Sequence, residues 1–174
     1  MITFESEYIK FQQRLLNFEN FVAFGLFIFF SYIVIFRFKL YFFYTIITEF
    51  TLFTILVIII INKSKSNIDL ISFEENTLIL CGETFNKRWK KSLNLKETNI
   101  EIKSIPSRNG LQDVTFYLKI KNKNDNYIIN SLNTFSDEGI IKIFNEFKKH
   151  KEEKIVFDER FTISRIQEKI EKCQ

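Results

Sequence analysis

A membrane α-helical hairpin followed by an α+β domain, an antiparallel sheet closed by a C-terminal helix, is the fold class that three observations predict. Two long apolar runs lie back to back between Phe18 and Asn62. Short stretches of alternating apolar and polar residues recur from Asn67 to Leu132, and a well-capped amphipathic segment begins at Ser136.

The first run, Phe18 to Phe36, holds one charge, Glu19, at its edge, and the second, Leu40 to Ile61, holds only Glu49. Each is long enough to cross a hydrocarbon core, which takes about 20 helical residues at about 1.5 Å each. The link Arg37-Phe38-Lys39 is so short that the helices must run antiparallel, which makes residues 18–62 a two-helix transmembrane hairpin. Gly25 by itself is not a dimerisation motif. Near the span ends Lys10, Arg14, Lys63 and Lys65 outnumber Arg37 and Lys39, so both termini are expected in the cytoplasm.

Ahead of the hairpin, residues 1–17 have acidic side chains early and no small-residue cleavage site, unlike a secretory signal. Phe4, Tyr8, Phe11, Leu15 and Phe18 recur at steps of four and three, which predicts an amphipathic lead-in helix.

Glu49 is the costliest residue of the spans, because an ionised carboxylate at mid-depth loses several kcal/mol. It is expected to be protonated, paired, or turned toward protein or water. Thr45 and Thr48 share its helical face, so the three form a candidate intramembrane polar contact, with a partner helix or within the hairpin. A proton relay would need a basic or histidine partner, and the spans hold neither.

Residues 67–151 form the expected cytoplasmic domain. Asn67 to Phe73 and Thr77 to Cys81 flank Glu74-Glu75-Asn76 as a tight hairpin, after which Gly82 and Glu83 are read as breaking the pattern. Lys91 to Lys96 alternates with Leu93 and Leu95 inward, and Asn99 to Ile105 with Ile100 and Ile102 inward. Pro106 and Ser107-Arg108-Asn109-Gly110 end that strand. From Asp113 to Lys121, Val114, Phe116, Leu118 and Ile120 share one face, and Tyr127 to Leu132 is the last strand. Five to seven such strands make a curved sheet or small barrel that needs a cover. Ser136 as N-cap, Asp137 and Glu138 in the first turn and Lys148, Lys149 and Lys151 at the end define the covering helix, with Ile140, Ile141, Phe144 and Phe147 as its apolar stripe. In the tail, residues 152–174, Ile163, Ile166 and Ile170 predict a further partly helical segment that folds back, lies on the membrane or docks on a partner.

The 174 residues leave room for one membrane element and one small domain. Residues 1–62 are electrically neutral, so the whole net charge of +4 belongs to the polar part and suits a domain near anionic lipid. Cys81 and Cys173 have no neighbours at metal-ligand spacing and fit a reducing compartment. The single histidine, His150, stands among lysines at a helix end and is read as a solvated surface residue.

Short antiparallel strands from Asn67 to Leu132, closed by one helix from Ser136 to Lys149 and preceded by two spans, resemble small bacterial membrane proteins with a pleckstrin-homology-like (PH-like) domain. The resemblance implies an interaction or lipid-facing module without catalytic residues, and the tail departs from a minimal version of that fold.

The densest cationic cluster, Lys87-Arg88-Trp89-Lys90-Lys91, is the candidate lipid or partner surface. Basic residues near anionic headgroups gain about 1 kcal/mol each, and Trp89 suits an interface. The alternative is an edge strand guarded by lysines, with Trp89 packed on the sheet. Tyr117 and Lys119 to Lys123 offer stacking and charge for nucleic acid, but Asp113, Asp125 and the anchor argue against it, and no nucleic-acid partner is expected. No glycine-rich phosphate loop, HExxH or CxxC occurs, and Glu74-Glu75 and Glu152-Glu153 read as surface charge, so no catalytic, cofactor or metal residue is assigned. The expected role is a non-enzymatic adaptor, accessory subunit or inhibitor that binds membrane lipid, a protein partner, or its own copies through the spans. A transport component using Glu49 and a membrane immunity protein against a toxin are the alternatives.

Overall fold

The computed structural model describes residues 1–37, 42–105, 114–130, 132 and 134–173. Two units emerge, one of residues 1–8 with 67–174 and one of residues 9–66, so the apolar helices are an insertion in the chain of the sheet-bearing unit.

In the inserted unit, α1 (Phe11–Leu15) is followed by α2 (Phe18–Arg37) and α3 (Phe42–Ser64). Asn17 separates α1 from α2 by capping: its side-chain oxygen accepts the Asn20 backbone N–H at 2.8 Å. The Asn20 amide turns back to the last carbonyls of α1, donating to Leu15 at 2.9 Å and Arg14 at 3.2 Å. Helices α2 and α3 run antiparallel. Glu19 pairs with Lys63 at 2.8 Å, Phe24 and Phe27 meet Phe53, and Ser31 meets Glu49. Both helices are long and apolar enough to cross a membrane, and only 6% of the apolar window of each is buried. At the open end of the hairpin, buried Arg14 donates from Nε to the Ser64 carbonyl at 3.0 Å, where the negative end of the α3 dipole favours a cation. Phe38 and Lys39 of the short link lie outside the described residues.

The lead-in helix over residues 1–17 is corrected. Ile2–Glu5 is a strand, β1, and only Phe11–Leu15 is helical. β1 pairs antiparallel with β2 (Ser66–Glu74), from Ile2 opposite Phe73 to Glu5 opposite Leu70. Phe4 packs edge-on against Phe73, with ring centroids 6.1 Å apart. A helix this short is costly to nucleate, whereas the ladder offers its bonds to a template already in place.

β3 (Thr77–Thr84) and β4 (Lys87–Asn94) complete a four-stranded sheet in the order β1-β2-β3-β4. β5 (Thr98–Ile105), β6 (Thr115–Asn122) and β7 (Asp125–Ile129) form a second, three-stranded one. The sheets are antiparallel and do not close, so a small barrel is not formed. Gly82 and Glu83 do not break β3, which continues to Thr84 with Gly82 opposite Trp89. The residues read as a strand from Lys91 to Lys96 divide between β4 and a 3₁₀ turn, Leu95–Glu97, capped by Asn94. Pro106 and the turn at residues 107–110 lie outside the described residues.

Alternation puts Ile100, Ile102, Phe116, Leu118 and Ile120 in the core. Helix α4 (Asp137–His150) covers β5 and β6 with Ile140, Ile143, Phe144 and Phe147, all fully buried. Its N-cap is Ser136, whose hydroxyl accepts the Gly139 N–H at 3.1 Å. Helix α5 (Phe157–Cys173) packs on α4 and β5 through fully buried Ile166, flanked by Ile163 and Ile170. Two ion pairs set it antiparallel to α4, Lys148 to Glu159 at 2.9 Å and Asp137 to Lys169 at 2.7 Å.

Candidate functional site

The cationic cluster forms the first five residues of β4, at one edge of the four-stranded sheet. Strand alternation divides it, with Lys87, Trp89 and Lys91 toward one face and Arg88 and Lys90 toward the other.

Three of the five side chains are engaged within the domain. Trp89 donates from its ring nitrogen to Thr84 Oγ1 at 3.0 Å and leans on Tyr127 at 6.3 Å. Its ring also lies over Gly82, where an added Cβ would sit 2.7 Å from the indole and 2.4 Å from the Asn67 carbonyl oxygen. The residue that seemed to break the strand is therefore a glycine because Trp89 and β2 occupy the space of a side chain. Arg88 pairs with buried Asp69 and lies 4.5 Å from the Tyr8 ring, while Tyr8 donates to buried Glu83 at 2.5 Å. The bond to Asp69 raises the Arg88 pKa above its usual range, so this guanidinium stays charged. Lys91 donates to the Tyr127 hydroxyl at 2.8 Å and pairs with Asp125 at 3.4 Å. That hydroxyl in turn donates to Asp125 at 2.9 Å. The Lys91 pKa is raised, first by Tyr127 and then by Asp125, and the Asp125 carboxyl is lowered by the same group.

Lys87 and Lys90 are exposed, and their side chains make no hydrogen bond or ion pair among the described residues. Sequence reasoning missed Tyr8, Asp69, Glu83, Asp125 and Tyr127, which hold the other members. They lie elsewhere along the chain or read as ordinary strand positions: the β1–β2 and β3–β4 pairings bring Tyr8, Asp69 and Glu83 to Arg88, and Asp125 and Tyr127 reach Lys91 from the second sheet.

In the hairpin, the Ser31 hydroxyl donates to Glu49 Oε2 at 2.6 Å, from the opposing helix. Thr48 donates instead to the Tyr44 carbonyl of its own helix at 2.9 Å, and Thr45 is half-buried on the same helix. Ser31 could have been found from the hairpin register, since the pairing of Glu19 with Lys63 sets positions 31 and 49 opposite each other.

His150 is half-buried rather than fully solvated. Its ring stacks on Phe73 at 5.5 Å and its Nε2 lies 3.3 Å from Glu146. Cys81 is half-buried and free. Among the described residues no group of three or more His, Cys, Asp or Glu side chains is placed to hold a metal ion. Compared with protein-family models, with curated proteins and with solved structures, the chain finds no match.

Proposed function

We propose that this is a non-enzymatic integral membrane protein, anchored by the α2–α3 hairpin in a bacterial cytoplasmic membrane with both termini on the cytoplasmic side. Its α+β unit is a PH-like domain that binds the anionic membrane surface or a partner protein, as an adaptor, accessory subunit or inhibitor. The PH-like assignment is supported by the seven strands among the described residues, split four and three, with a helix after the last.

One observation carries the membrane-surface reading. The chain leaves the α+β unit at Tyr8 and re-enters it at Asn67, and both residues lie at the start of β4. Tyr8 bonds Glu83 and lies under Arg88, and Asn67 abuts Gly82. The two unengaged lysines, Lys87 and Lys90, one on each face of β4, thus lie in the half of the strand nearest the end at which the chain passes to its apolar helices. Their contribution there is about 1 kcal/mol each in an anionic membrane, and it falls with salt.

The test is amide exchange across residues 84–90 of the full chain in bilayer discs. Added protection in anionic over neutral lipid, abolished by Lys87→Glu with Lys90→Glu, is expected, whereas equal exchange in both lipids removes the lipid role. The transport alternative is not favoured, because the bond from Ser31 gives Glu49 a partner within the hairpin.

A further inference from the structure

Helix α5, with Val156 just before it, carries apolar residues on two sides, and the fold uses one of them. Ile163, Ile166 and Ile170 face the core, while Val156, Phe157 and Phe161 are 57%, 82% and 59% exposed. Phe157 and Phe161 are one helical turn apart, so they form a single ledge on the side away from Ile166. The ion pairs from Lys148 to Glu159 and from Lys169 to Asp137 fix the rotation of the helix, and that rotation turns both phenylalanines outward.

The ledge is bracketed by cations. At about 100° per residue Arg160 and Arg165 fall on opposite flanks of the two rings, and Lys154 precedes them. None of these three side chains has a hydrogen bond or ion pair among the described residues. Nearby acids are committed elsewhere: Glu153 pairs with Lys148 and Lys151, Glu159 with Lys148, and Glu152 lines a groove with Met1 and His150. Asp158 is the remaining acid on this turn, in the first turn of α5, where the helix dipole favours it.

Position argues for a protein rather than lipid as the occupant. Lys148, which holds the start of α5, is near the end of α4, whose His150 stacks on Phe73. Phe73 is six residues along β2 from Asn67, about 20 Å, so the ledge sits at the end of this unit opposite the points where the chain leaves for the helices. Three side chains offer a few hundred Å² of apolar surface at most, short of the roughly 800 Å² per partner of a standard interface. A symmetric dimer through this face would set Lys154, Arg160 and Arg165 of one copy against the same cations of the other, whereas an acid-rimmed pocket adds to the small apolar area by pairing with them. Building on the adaptor reading above, we infer that Val156, Phe157 and Phe161, flanked by Lys154, Arg160 and Arg165, dock a protein partner whose apolar pocket is rimmed by aspartate or glutamate.

The test places a photoreactive benzoylphenylalanine at Phe161 in the full chain, irradiated in its native membranes. The expected result is a protein adduct whose cross-linked peptide contains acidic residues. The adduct should be lost with Arg160→Glu and Arg165→Glu, kept with Arg160→Lys and Arg165→Lys, and weakened by high salt. An adduct with lipid alone, an adduct with a second copy of this chain, an adduct indifferent to charge reversal, or no adduct overturns the proposal. The same probe at Phe53 in α3 reports on anchoring separately. If that probe captures no lipid the membrane reading fails, whatever happens at Phe161. Equal melting temperatures of the Glu and Lys variants show that charge reversal acts on docking and not on folding.

Discussion

At Gly82 the chain has no room for a methyl group, since a Cβ there would sit 2.4 Å from a backbone oxygen of the neighbouring strand and 2.7 Å from Trp89. Gly82→Ala should therefore destabilise the α+β unit by about 1–3 kcal/mol, the usual penalty for overpacking. Denaturant unfolding followed by the fluorescence of Trp89, the single tryptophan, measures it directly. Gly25→Ala serves as a contrast, because apart from its own helix backbone nothing among the described residues lies within 4 Å of the added group. In the hairpin, Glu49→Gln keeps an acceptor for Ser31, so little change in helix association is expected. Ser31→Ala removes the donor to the carboxyl and should weaken the α2–α3 pair by about 0.5–2 kcal/mol in a bilayer unfolding assay. A larger loss from Glu49→Gln than from Ser31→Ala would mean that the carboxyl has a role beyond this bond.

At the scale of elements, α5 belongs to the fold rather than trailing from it. Ile166→Ala should cost about 2–5 kcal/mol, as other fully buried large-to-small changes do, while Phe161→Ala should stay within about 0.5 kcal/mol. Thermal melting of the two variants decides whether both faces have been assigned correctly. The β5–β6 pair carries the clearest titration. Glu101 lies between Lys103 and Lys121, and these two, Lys103 first, hold its carboxyl down to about 2 from its usual 4.5. Asp125 and Glu153 are lowered as well, chiefly by Tyr127 and Lys151. A depressed carboxyl stabilises the fold above its usual pKa, and the contribution disappears as pH falls through the folded value. Lys91 and Lys103 are raised, by Tyr127 and Glu101 first, so their contribution is complete below 10.5 and is lost as pH rises through their folded values. Stability should be flat from about pH 5 to 10, decline between 4.5 and 2, and decline again in strong base. Because these groups are partly exposed, salt should flatten both limbs, and a midpoint indifferent to salt would contradict the assignment.

For the whole molecule the decisive feature is the insertion of residues 9–66 between two strands that pair with each other. The backbone bond from Ser6 to the Asp69 carbonyl, 2.8 Å, already brings the two cut ends of the sheet together. Replacing residues 9–66 by a short turn should leave a folded, soluble α+β unit with an unchanged β-sheet circular dichroism spectrum. Removing residues 1–8 as well should lower its melting temperature, since β2 loses its edge partner and Phe73 loses Phe4. If the excised unit is unfolded, the inserted helices contribute to its stability and the two units are not independent.

Several features were legible from local pattern alone. The two apolar runs, the alternation of Val114, Phe116, Leu118 and Ile120, and the capped, dipole-matched α4 each follow from side chains within one element. Such features come from near-neighbour physics: residue spacing selects helix or strand, and apolar area selects the buried side. Long-range pairing decided the rest. Phe4 satisfies a helical period as well as a strand, and only the β2 ladder more than sixty residues away settles it. Lys87 to Lys91 form one cluster in sequence, yet Asp69, Asp125 and Tyr127 engage Arg88 and Lys91 and leave Lys87 and Lys90 outward. The Ile163, Ile166 and Ile170 stripe of α5 was visible in the sequence, and only the packing on α4 and β5 shows that it folds back on the domain. The sequence by itself determined the two runs apolar enough for a bilayer, the β6 alternation and the capped helix α4, but not the strand at Ile2–Glu5 or the bounds of β3 and β4. Tertiary structure alone decided which charges remain free and which apolar face remains uncovered, because those depend on partners brought together only by folding.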